Sequence, residues 1–148
     1  MTDRKLTGLD KILTQLDQGL RTAFSGAPLP DRKSPADTIA DTSLNDKDRA
    51  HTIGLMRVNH TGEVCAQALY QGQALTAKLP EVREQMKHSA AEEIDHLAWC
   101  EERINNLGGQ TSLLNPIWYA ISFGIGAGTG LINDKLSLGF VAATEDQV

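Results

Sequence analysis

Apolar residues recur along this chain at steps of three and four, the spacing of one face of an α-helix, and no useful stretch alternates as a strand would. Near the start, Leu6, Leu9, Ile12, Leu13, Leu16 and Leu20 predict a short amphipathic helix, with Thr7 and Asp10 placed as a capping box. It stops near Phe24. Pro28, Pro30 and Pro35 among Ser, Asp and Thr then predict an irregular linker to about Ser43, with no visible chemistry. Residues 46–77 contain no proline and carry the stripe Ile53, Met56, His60, Glu63, Gln67, Tyr70 and Ala74, which predicts a long helix. A second long helix should open at Pro80, with Glu81 and Glu84 in its first turn, and end at Leu107 before Gly108 and Gly109. Its stripe is Val82, Met86, Ser89, Glu93, His96, Cys100, Arg103 and Leu107. A third helix, entered through Pro116, is expected over 113–132 with an interruption near Gly124, Gly126, Gly128 and Gly130. A fourth run starts at Asp134 and reaches Glu145.

Both long stripes carry ionisable groups where core residues belong. His60 and Glu63 share one face of the first helix, and Glu93 and His96 share one face of the second as a Glu-x-x-His unit. Glu63 precedes the end of its helix by nearly as many residues as Glu93 follows the start of the next. At about 1.5 Å per residue both sit roughly 20 Å from the turn, so antiparallel packing sets them opposite each other. Burying such groups costs several kcal/mol per ion, on the order of the desolvation penalty, unless a divalent metal compensates. Carboxylates with one imidazole suit iron or manganese better than a structural zinc. One Glu facing a Glu-x-x-His unit is half of the four-helix di-iron carboxylate arrangement.

Blander readings stand beside this one. Glu-x-x-His alone is common on helix surfaces, and only the companion Glu at matching height favours a metal. His60 is expected to support the site by hydrogen bonding. Gly62 is expected to admit a neighbouring helix closely. Cys65 and Cys100 read as small buried fillers, and Glu92, Asp95, Glu101 and Glu102 as the solvated face of the second helix.

Composition narrows the class. A length of 148 residues fits one domain's core, divided as an N-terminal helix and linker over 1–44 and a helical domain over 45–148. The net charge of −5 gives no reason to expect nucleic acid. Two cysteines are too few for a disulfide scaffold, and the mixed charges of the first residues resemble no secretory signal or transit peptide. A bacterial cytoplasmic product is the simplest inference. The segment between Arg103 and Asp134 carries no charge, and an apolar helix lying at a bilayer surface, with Trp118 and Tyr119 near the interface, accounts for it better than a span. "GIGAGTG" follows no strand and does not fit a dinucleotide-binding loop, so close packing through small residues is the better account.

Four blocks, "RVNHTGEVCAQALYQGQ", "EEIDHL", "NPIWYAISFGIGAGTGL" and "GFVAATEDQV", together resemble the demethoxyubiquinone hydroxylase family of di-iron monooxygenases in ubiquinone biosynthesis. The similarity runs over 46–148. It implies an all-α, ferritin-like antiparallel four-helix bundle, with an apolar membrane-facing helix, that hydroxylates a polyprenyl quinone or quinol using O2, two iron ions and an external reductant. By position, the resemblance makes Glu63 a ligand of one iron, Glu93 a bridge between the two, His96 a ligand, and Glu145 the carboxylate of the fourth helix. It also implies peripheral attachment to the cytoplasmic side of the bacterial inner membrane, contact with other ubiquinone-biosynthesis proteins, and a homo-oligomer. Family members continue to a second Glu-x-x-His unit. A chain stopping at Val148 is therefore expected to be an inactive fragment that lacks the last helix and holds no di-iron centre alone. Two alternatives stay open: a ferritin-like iron-oxidising or peroxide-reducing protein, and a non-catalytic helical membrane-associated module in which Glu63, Glu93 and His96 satisfy one another.

Overall fold

The computed structural model describes residues 30–145 and, before them, residues 7, 10, 13, 14, 17 and 19–22; of Glu145 the side chain is not described. The described residues 10, 13, 14, 17 and 19–22 are helical, as expected near the start, and four further helices are bounded among the described residues, in order α1 (Asp46–Thr76), α2 (Pro80–Asn106), α3 (Asn115–Ile132) and α4 (Asp134–Glu145). The described residues contain no strand.

Local chemistry accounts for the boundaries. The Asn45 side chain caps α1 by accepting the Asp48 backbone N–H at 2.9 Å, and Asp46 and Asp48 sit at the positive end of the helix dipole. Pro80 opens α2, whose end is fixed by Gly108 at φ 77, in the left-handed region that favours glycine. Between them, the Asp134 carboxylate accepts the backbone N–H groups of Lys78 and Leu79 at 3.0 and 2.8 Å, tying the α1–α2 turn to the start of α4. The predicted capping box is present: Thr7 N–H donates to Asp10 Oδ2 at 2.8 Å, and Asp10 N–H to Thr7 Oγ1 at 3.2 Å. Of its apolar stripe, Leu13 and Leu20 are exposed, whereas Leu6, Leu9, Ile12 and Leu16 lie outside the described residues.

α1 is the central element, with α2 on one side and α3 on the other. Tyr70, Ala74 and Ala77 pack with Val82, Met86 and Ala90 of α2 into a core that Leu138 and Val141 of α4 cover. All residues of both predicted stripes are buried or half-buried. α3 corrects an expectation, since it runs unbroken through its glycines. A Cβ on Gly126 would overlap the Leu69 carbonyl, and one on Gly72 would overlap the Phe123 carbonyl. The glycines thus let two backbones touch, and that packing offsets a helix cost of roughly 1 kcal/mol each. Gly62, expected to do this, does not: a Cβ there would meet nothing within 4 Å.

The outer side of α3 stays apolar. Leu113, Ile117, Trp118, Ile121, Ile125 and Leu131 are exposed, Leu113 at 92%. No described helix is long and apolar enough to cross a membrane.

Candidate metal centre

Antiparallel packing of α1 on α2 does what the register predicts. Glu63, Glu93 and His96 each offer one ligand atom, and these atoms lie within 4.8 Å of one another. His96 Nδ1 is 3.0 Å from Glu93 Oε2 on its own helix and 3.8 Å from Glu63 Oε2 across the seam. The side chains are 12% exposed for Glu93, 29% for Glu63 and 41% for His96, a gradient from the seam outward. Two carboxylates converging on one imidazole form a hard, anionic donor set, and it fits a divalent ion such as iron or manganese.

His60 lies apart from this group. It is buried, and its Nδ1 accepts a hydrogen bond at 3.3 Å from Asn115 Nδ2 in the first turn of α3. Thr61 Oγ1 donates to Asn115 Oδ1 at 3.1 Å, so Asn115 fastens α3 to α1 one turn from Glu63. Burial lowers the His60 pKa, with the Glu101 charge partly opposing it. Cys100, one turn beyond His96, is half-buried, and burial first and Glu63 second push its thiol up to about 11. It behaves as a filler and not as a nucleophile.

A cavity of about 290 Å³ lies between α1, α3 and α4, walled by Gly62, Cys65 and Leu69 of α1, Ile125 of α3, and Phe140 and Thr144 of α4; Glu63, Glu93 and His96 are not among its lining residues. The missing side chain of Gly62 leaves part of this space. Thr144, in the last turn of α4, shares this wall with residues of α1 from Gly62 to Tyr70. The side chain of Glu145, the next residue, lies outside the described set.

A family model described as "Ubiquinone biosynthesis protein COQ7" matches residues 50–148. The chain belongs to the COQ7 family. A Pseudomonas fluorescens protein named 3-demethoxyubiquinol 3-hydroxylase is 60% identical over 147 residues, covering 99% of this chain and 68% of that protein. Relatives of the same name from Pseudomonas aeruginosa and Ectopseudomonas mendocina are 61% identical over 146 residues and 62% identical over 149, each again covering 99% of this chain and 68% of the relative. No solved structure gives a significant match.

Sequence reasoning missed one structural feature of this COQ7-family chain beside the candidate site. Asp95, expected on the solvated face with Glu92 and Glu102, is only 4% exposed. The linker closes over it: Asp31 N–H donates to Asp95 Oδ1 at 2.7 Å and Arg32 Nε to Oδ2 at 2.5 Å. The Arg32 guanidinium holds the Asp95 carboxyl below the usual carboxylate range, against the opposing effect of burial. Arg103 makes a second clasp with Asp41 at 2.8 Å. The linker expected to carry no chemistry therefore binds α2 twice. The one available signal was the i, i+4 spacing of Asp95 and Trp99.

Proposed function

We propose that this protein hydroxylates the ring of a 3-demethoxyubiquinol in ubiquinone biosynthesis, with Glu63, Glu93, His96 and Glu145 contributing part of the ligand set of a two-iron centre in a ferritin-like helical bundle. The observation that carries the reading is the meeting of Glu63, Glu93 and His96 in a COQ7-family chain. The names of the relatives supply the substrate and the reaction.

In the balanced reaction a ring C–H becomes C–OH with one atom of O2. The other atom leaves as water, with two electrons and two protons from an external reductant. The irons, when bound, supply the reduction of O2. The carboxylates of Glu63 and Glu93 and the His96 imidazole hold them with charge that tolerates both oxidation states. The apolar lining to which Leu69, Ile125 and Phe140 contribute suits a quinol ring. The exposed apolar side of α3 suits attachment to a bilayer surface, where a polyprenyl quinol is dissolved, and we propose that this is the cytoplasmic side of the bacterial inner membrane.

The test is complementation. Cells that accumulate 3-demethoxyubiquinol for want of their own hydroxylase should regain ubiquinone when given the gene that encodes this chain, and not when that gene carries E93Q. Continued accumulation with the unaltered gene contradicts the proposal.

One observation favours a second reading. The 3.0 Å contact between His96 and Glu93 lets part of the group satisfy itself without an ion. Metal analysis after anaerobic loading separates the two, since a self-satisfied group would retain no iron.

A further inference from the structure

Asp95 and His96 are neighbours in sequence but face different ways on α2. His96 meets Glu63 and Glu93, and Asp95 meets the linker. Trp99, one turn on, spans the two directions. Its Nε1–H donates to the Arg32 carbonyl at 3.3 Å, and the Arg32 guanidinium carbon lies 5.7 Å from its ring centroid, within cation–π range. The His96 ring lies 5.4 Å from the same indole at 47°, an ordinary tilted aromatic pair.

His96 is the most exposed of the three candidate ligands, so close packing does not fix its ring. A buried carboxylate such as Asp95 is costly unless its oxygens are hydrogen-bonded, and here both oxygens are bonded by the linker. The clasp is thus anchored where α2 cannot release it cheaply. It ends on the ring that flanks His96.

We propose that the linker acts on the metal centre: Arg32, anchored on Asp95, holds the Trp99 ring against His96 and so, together with Glu93 Oε2 at Nδ1, sets the orientation of the imidazole. Arg32 and Trp99 are positioning residues. Side chains that orient a ligand typically change metal affinity by about 10–100-fold when removed. For its consequence on metal binding the inference rests on the function proposed above, but the orientation of the ring does not.

The experiment compares R32A, R32K and R103A in the full chain. Arg103 makes the other linker ion pair on the same helix and serves as the structural control. The first readout is the proton and carbon shifts of the His96 ring without metal, which the Trp99 ring current displaces. R32A should move them toward their positions in W99A while the His60 signals stay, R32K should restore most of the displacement, and R103A should leave His96 unmoved. The second readout is Mn(II) affinity, expected to fall about tenfold in R32A and to stay unchanged in R103A. Unmoved His96 signals in R32A, or an equal shift in R103A, overturn the proposal. Absence of Mn(II) binding by the unaltered chain would count against the metal reading, while the ring signals still decide the orientation.

Discussion

His96 Nδ1 lies 3.8 Å from Oε2 of Glu63, on the antiparallel helix beside it. The contact exists because α1 and α2 are joined by a short turn between Thr76 and Pro80, which fixes their register. It brings a second carboxylate to an imidazole that Glu93 already holds at 3.0 Å. Removing one negative donor from this set should weaken binding of a divalent cation far more than it disturbs the fold. E63Q, nearly isosteric, is expected to lower Mn(II) affinity at least about tenfold, a loss of about 1.4 kcal/mol or more. The free Mn(II) signal in electron paramagnetic resonance titrations checks this, and an unchanged isotherm excludes Glu63 as a ligand.

Gly62 and Gly126 should respond in opposite senses to the same substitution. A Cβ at Gly62 meets open space, so G62A should stabilise α1 by about 0.5–1 kcal/mol through helix propensity. At Gly126 the Cβ meets the Leu69 backbone, and G126A should cost about 1–3 kcal/mol as α3 is pushed from α1. Denaturant unfolding of the two variants measures both.

The extent to which these features could be read from sequence follows the range of the interactions. The start and stop of α2 were legible because Pro80 and Gly108 act on backbone within a turn of themselves. The meeting of Glu63 with Glu93 and His96 was legible because a tight hairpin converts residue counting into register. Burial of Asp95 was not, since its donors Asp31 and Arg32 lie 64 and 63 residues away and the linker carries no periodicity. The unbroken course of α3 was hidden for the same reason. Gly126 is tolerated through its contact with a carbonyl of α1, which no window around it contains.

Tyr119 donates a hydrogen bond to Gln71 Oε1, and burial pushes its phenol from 10.0 up to about 12. An acid whose folded pKa is raised contributes stability that is complete below its unfolded value and is lost as pH rises toward the folded one. The protein should therefore lose stability between pH 10 and about 12, with the Tyr119 fraction of the phenolate absorbance at 295 nm delayed to the end of that window. Y119F should remove the delayed component.

His60 works at the other end of the scale. Its pKa is lowered from 6.5 by burial, so the unfolded chain binds more protons than the native one as pH falls below that value. Stability due to this residue is complete above pH 6.5 and is lost on acidification through the folded pKa. The unfolding free energy of H60Q should vary less with pH below 6.5 than that of the unaltered protein, and a parallel profile would contradict the assignment.

The central claim, that Glu63, Glu93 and His96 serve oxygen insertion into a quinol ring, is tested most directly by isotope. Iron-loaded protein from the gene that encodes this chain is given a short-tailed 3-demethoxyubiquinol, a chemical reductant and 18O2, and the product is weighed by mass spectrometry. The account predicts a hydroxylated ring carrying a single 18O atom, formed by the unaltered protein and not by E93Q. Ring oxygen derived from water, or an equal yield from E93Q, would contradict it.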